Sequence, residues 1–120
     1  MIFLIGGSCQ GKLQHAMQSF GLTDADVFTC AGPEIDFSRR CIDHVELLAL
    51  HRSDPVEYLE QNRALWHDSV LIMEDIFCGV VPMGAENRAW RQRAGRLSQH
   101  LSREARQVSR IFCGLELRLK

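Results

Sequence analysis

The chain has 120 residues, 46% of them hydrophobic and 24% charged, with 14 Lys plus Arg against 15 Asp plus Glu and a net charge of −1. That length allows one domain over residues 1–120 with a single modest core, and the near-neutral balance argues against a dedicated nucleic-acid binder. The balance hides an asymmetry: residues 1–85 carry 5 basic and 12 acidic side chains, whereas residues 86–120 carry 9 basic and 3 acidic, a cationic C-terminal third suited to phosphates or to the acidic remainder of the chain.

In chain order, Met1 to Ile5 is an apolar run too short for an amphipathic helix, and the run from Ile2 predicts a buried parallel strand ending at Gly6-Gly7. It has no basic leader or cleavage site, so a signal peptide is not expected. Gly11 to Phe20 reads as a helix with Leu13, Ala16, Met17 and Phe20 on one face, stopped by Gly21. Val27 to Cys30 is a second short strand before the Gly32-Pro33 turn. From Ile42 the pattern is helical through Val45, Leu48 and Ala49. Ser53-Asp54-Pro55 marks the start of a helix running to about Leu65. Val70 to Met73 is a third buried strand, closed by Glu74-Asp75. The longest helix is expected from about Glu86 to Ala105, with Trp90, Ala94, Leu97, Leu101 and Ala105 as its apolar stripe and Arg88, Arg91 and Gly95 on the opposite side. Val108 to Cys113 is a fourth strand, Gly114 a turn, and Leu115 to Leu119 an edge strand. Strands alternating with helices imply an α/β domain with a small, mainly parallel sheet.

No apolar run approaches the roughly 20 residues needed to span a bilayer, so no membrane partner is expected. The five cysteines, Cys9, Cys30, Cys41, Cys78 and Cys113, are odd in number and lack any Cys-x-x-Cys pair. This predicts free thiols and a cytoplasmic location.

The most informative stretch is Gly6-Gly7-Ser8-Cys9-Gln10-Gly11-Lys12-Leu13. It follows a predicted strand and opens a predicted helix, the setting of a G-x-x-x-x-G-K-[ST] phosphate loop. Glycines let several backbone N–H groups turn toward one phosphate, the helix N-terminus adds positive potential, and Lys12 reaches the outer phosphates. The expected ligand is therefore ATP or GTP, in a P-loop NTPase-like three-layer fold with helices flanking the sheet. Leu13 departs from the pattern: it cannot supply the hydroxyl that usually holds magnesium, which counts against Mg²⁺-assisted transfer but not against phosphate binding. Glu74 and Asp75, at the end of a buried strand beside the loop, are the carboxylates placed to hold a metal.

On these residues the chain resembles the adenosylcobinamide kinase / adenosylcobinamide-phosphate guanylyltransferase family of cobalamin biosynthesis. The likeness is carried by Met1 to Lys12 and by Val70-Leu71-Ile72, Gly79-Val80-Val81-Pro82, Arg88, Arg91, Gly95-Arg96 and Val108 to Lys120. It covers somewhat more than half of a chain shorter than full-length members. The resemblance implies phosphorylation of the adenosylcobinamide side-chain hydroxyl, or nucleotidyl transfer from GTP to its phosphate, and assembly as a homo-oligomer. Lys12 and the loop from Gly6 to Leu13 would bind nucleotide with support from Arg88 or Arg91. Glu74 or Asp75 would hold magnesium. The family also uses a histidine that accepts the guanylyl group; His44 and His51 lie in the corresponding stretch, and His51, followed by Arg52, is the nearer look-alike. The alternative is a non-catalytic relative that binds nucleotide or a corrinoid-pathway partner, which Leu13 and the reduced middle of the chain favour.

Overall fold

A computed structural model describes residues 1–77 and 84–120. Its strands are β1 (Ile2–Gly6), β2 (Val27–Thr29), β3 (Cys41–Asp43), β4 (Val70–Glu74), β5 (Gln107–Phe112) and β6 (Leu115–Arg118). Its helices are α1 (Lys12–Phe20), α2 (Val45–His51), α3 (Pro55–Gln61), α4 (Arg63–Trp66) and α5 (Ala85–Glu104). The six strands form one sheet in the order β2-β3-β4-β1-β5-β6, parallel throughout except for the antiparallel β6. The sequence predicts this mainly parallel α/β architecture, and the sheet lies between helices as in P-loop NTPase-like folds.

Continuous apolar sequence at the centre has a direct cause: both faces of β1 and β4 are covered. Ile2 and Leu4 of β1, with Val70 and Ile72 of β4, pack against Ala16 and the partly buried Leu13, Met17 and Phe20 of α1. Phe3, Leu71 and Met73 point the other way, into the larger core with Val45, Leu48, Leu59, Trp66, Ala94, Leu97 and Leu101. The alternation is the two-residue period of a strand applied to two helical layers. The Trp90 indole N–H donates to the Glu46 carbonyl at 2.7 Å and Arg93 Nε to the Ala49 carbonyl at 2.8 Å, which fastens α5 along α2.

Two expectations need correction. The stretch from Ile42 does not open a helix: Cys41, Ile42 and Asp43 are all buried and pair in parallel with β2, and Cys41 and Ile42 also with β4. Helix α2 starts only at Val45, after His44 has turned into the left-handed region at φ 56°. The single helix expected from Pro55 to Leu65 divides at Asn62, whose side-chain amide donates to the Tyr58 carbonyl at 2.8 Å and breaks the regular ladder. The expected loop Gly79–Pro82 lies outside the described residues.

Cys9, Cys30, Cys41 and Cys113 are free thiols, and Cys78 lies outside the described residues. Burial, helped by Glu46 and Asp43, pushes the Cys30 thiol up to about 12; burial, helped by Asp43 and Asp26, does the same for Cys41. Neither is poised as a nucleophile. No helix among the described residues is long and apolar enough to cross a membrane.

Candidate functional site

The chain leaves the carboxyl ends of β1 and β4 toward opposite faces of the sheet, β1 into α1 and β4 toward α5. This is the topological switch point at which open α/β sheets present a crevice to ligands. The turn from Gly6 to Lys12 occupies that crevice. Gly11 adopts φ 87° and Cys9 adopts φ 58°, a left-handed conformation that few non-glycine residues take. The turn is braced from the far end of the chain: Gln10 accepts from the Cys113 N–H through Oε1 at 2.7 Å and from the Gly114 N–H through its carbonyl at 2.9 Å. Cys113 and Gly114, at φ 52° and 75°, are the two residues of the β5–β6 hairpin loop, the signature of a type I′ turn.

Lys12 is only 8% exposed, and its Nζ donates to the Gly7 carbonyl at 2.6 Å. It lines a cavity of about 320 Å³ with Ser8, Cys9, Gln10, Gly11, Leu13 and Glu74. The opposite wall is Asp43 and His44, from the end of β3. Glu46, itself buried, ties this wall together: Oε1 meets His44 Nδ1 at 2.7 Å, and Oε2 accepts the Glu74 N–H at 2.9 Å. The Asp43 carboxylate accepts the His44 N–H at 2.8 Å and lies 3.9 Å from His44 Nε2.

Burial alone would lower the basicity of His44; the hydrogen bond to Glu46 and the charges of Asp43, Glu46 and Glu74 outweigh it and hold the imidazole above its ordinary pKa. A folded-state pKa raised above the unfolded one stabilises the protein below the unfolded value, and that contribution disappears as pH rises through the folded value. Wild type should therefore exceed His44→Asn in stability by more at pH 5.5 than at pH 8.5. Urea unfolding in metal-free buffer at both pH values measures this, and asparagine keeps the left-handed backbone. An equal difference at the two pH values would refute the ion pair.

The other predicted residues disperse. Gly7 and Asp75 line a neighbouring cavity of about 130 Å³ with Gln10, Arg110 and Phe112, and the Asp75 carboxylate accepts the Phe77 N–H at 2.9 Å. Arg91 donates to the Phe77 carbonyl, and Arg88 is exposed near the start of α5. His51 is exposed at the last turn of α2, so the structure does not bring it to the cavity; it lies seven positions beyond His44, about 10 Å along the helix. Asp43, His44 and Glu46 are the residues whose convergence the sequence reading missed. An acidic residue closing the buried Cys41-Ile42 pair is the available signal, hidden because the helical pattern is read from Ile42 onward.

A sheet of this order with a glycine turn at its switch point defines a P-loop NTPase-like α/β protein. A family model described as cobinamide kinase / cobinamide phosphate guanyltransferase matches residues 52–119, which span α3 to β6. That is more than half of the chain, and the chain belongs to this family. No curated protein matches it.

Proposed function

We propose that the protein binds ATP or GTP in the cavity between the glycine turn and the Asp43–His44 wall, and that it acts on cobinamide or its phosphate. The observation that supports this best is the convergence of a buried lysine, a turn of left-handed backbone and two strand-end carboxylates on one cavity at the switch point. On binding, Lys12 would exchange the Gly7 carbonyl for a phosphate oxygen, while amides of the turn and of the first turn of α1 satisfy the remaining phosphate charge. Arg88, on the exposed start of α5, would add electrostatic support.

The magnesium expected of this fold has a partial set of partners. Leu13 offers no oxygen and packs its side chain against the α1-side core, and no group of three or more candidate ligands occurs among the described residues. Magnesium takes one or two carboxylates and completes its shell with water and phosphate oxygens; Asp43 and Glu74 would hold it here, in place of the expected Glu74 and Asp75. The metal supplies neutralisation of charge on the outer phosphates. Titration of ATP and GTP into the protein by calorimetry, with and without magnesium, tests the reading. Saturable binding is expected, tighter with the metal; no binding of either nucleotide in either buffer refutes it.

A histidine that accepts a nucleotidyl group would be His44 and not His51, because only His44 reaches the cavity, with Nδ1 already held by a buried carboxylate. Incubation with GTP labelled at the α-phosphate should leave acid-labile protein-bound label in wild type and in His51→Asn but none in His44→Asn. Retained label in His44→Asn removes this assignment, and absence of label in wild type favours a non-catalytic nucleotide-binding protein.

A further inference from the structure

The amino ends of the strands carry a second cavity that nucleotide chemistry does not use. Ile2 and Val70 open β1 and β4 side by side, Cys41 opens β3 next to Val70, and Gln107 opens β5 next to Ile2. The residues just ahead of the two outer strands of this row are both arginines. Arg40 precedes β3, and its carbonyl accepts the Val70 N–H at 2.9 Å; Arg106 precedes β5, and its N–H donates to the Met1 carbonyl at 3.0 Å. Pairing thus fixes both backbones. The two arginine side chains, with Asp68 ahead of β4, rim a cavity of about 200 Å³. Four steps along β1 separate Ile2 from Gly6, about 13 Å, so this cavity is distinct from the crevice at the carboxyl ends.

Its floor is hydrocarbon. Ile2, Leu22 and Val70 are buried residues of the core beneath α1, and the partly buried Phe20 packs against them. The end of α1 holds Leu22 in place: Gly21 takes the left-handed conformation at φ 63°, and the Leu22 N–H donates back to the Met17 carbonyl at 3.0 Å. The space between the end of α1 and the strand starts is therefore bounded by apolar side chains below and by charge above, the make-up of a small-molecule site.

The rim charges are not equivalent. Arg40 donates to the Phe20 carbonyl at 3.3 Å and lies 3.6 Å from an Asp26 carboxylate oxygen, and Asp68 lies 3.1 Å from His67 Nε2. The Arg106 guanidinium has no hydrogen-bond or ion-pair partner among the described residues. A guanidinium offers paired donors that match a carboxylate. A second negative charge is disfavoured, because Asp68 shares the rim and α1 ends at Phe20 with the negative pole of its dipole. We infer that this cavity binds a small monocarboxylate with an apolar body, its carboxylate on Arg106 and its hydrocarbon against Phe20, Leu22, Ile2 and Val70. Such a ligand removes apolar surface from water and gives Arg106 the partner it lacks.

Benzoate is the probe, and amide chemical shifts of the isotope-labelled full chain locate it. Saturable shifts are expected at Leu22, Val70 and Arg106 and not in the turn from Gly6 to Lys12, and they should be the same in Lys12→Ala, whatever that variant does to nucleotide. Benzamide has the same shape without the charge, so it should bind about 10-fold more weakly or worse, the loss expected when a charge-assisted hydrogen bond is removed. Phenyl phosphate carries a second charge toward Asp68 and should also bind more weakly than benzoate. Arg106→Gln should weaken benzoate by about the same factor of 10 and leave benzamide unchanged. Arg106 is exposed, and glutamine keeps the N–H that donates to Met1; should circular dichroism show that the variant does not fold, the comparison of benzoate with its two analogues decides. Absence of saturable shifts, shifts confined to the glycine turn, either analogue binding as tightly as benzoate, or full benzoate affinity in folded Arg106→Gln overturns the inference.

Discussion

Lys12→Ala should lose most of the affinity for ATP and GTP, roughly 10- to 100-fold, as expected when a charge-assisted hydrogen bond worth about 1.5–3 kcal/mol is removed. Two features of the folded protein push the effect toward the upper end. Lys12 is 8% exposed, so its ammonium faces the ligand with little competing water, and Coulomb attraction to phosphate is correspondingly less screened. Its Nζ also closes the turn on itself through the Gly7 carbonyl, so the alanine variant leaves that carbonyl without its donor. Lys12→Met isolates the packing of the stem: it keeps the apolar stem but, like alanine, supplies neither the charge nor the donor to the Gly7 carbonyl. Calorimetric titration of the three proteins, with a thermal melt of each, reads the outcome. Unchanged affinity in folded Lys12→Ala would show that nucleotide binds elsewhere. That result differs from wild type binding no nucleotide, which would remove the proposed function itself.

Among the described glycines, Gly6→Ala should be the most destabilising alanine substitution. A Cβ at Gly6 would lie 2.3 Å from the carbonyl oxygen of Ile111 and 3.3 Å from its carbonyl carbon. The obstacle is main chain of β5, the central neighbour of β1, and no rotamer change relieves it. Relief requires β1 and β5 to separate, which also disturbs the Gly6 carbonyl that accepts the Asp75 N–H at 2.7 Å. The expected loss is on the order of 3 kcal/mol, corresponding to a melting temperature about 10–15 °C lower for a domain of this size. Gly7→Ala is the control, because its Cβ would meet only the flexible Gln10 Cγ at 3.6 Å; its stability should stay within about 1 kcal/mol of wild type. Equal loss in both variants would mean that the turn, not the approach of β5, is the source of the strain.

These two glycines show how far the sequence can be read. Adjacent and identical in the motif, both were expected to serve the turn. Only the position of Ile111, brought alongside by strand pairing, separates a glycine required by close packing from one required by the loop. Leu13 behaves likewise: the sequence shows a missing hydroxyl, and the structure adds that the partly buried side chain lines the cavity and packs against the core beneath α1. Arg91, one of two arginines expected to support phosphate, donates to the Phe77 carbonyl, a contact no local pattern encodes.

What the sequence by itself determined is everything carried by a local period or a local turn: the two central strands, whose unbroken apolar runs imply cover on both faces, helices α1 and α5 with their stripes, and the glycine turn between β1 and α1. It also placed Glu74 beside that turn. What only the tertiary structure decided is everything that depends on where distant segments meet. A three-residue strand such as Cys41–Asp43 is too short to show a period, so its end, and with it the place of Asp43 and His44 on the cavity wall, became visible only when β2 and β4 flanked it. The bond between Gln10 and Cys113 joins residues 103 positions apart, and no local pattern encodes it. The physical reason is that periodicity records which face of an element is buried, while a site is made where the ends of several elements converge, and that convergence is set by the order of strands in the sheet.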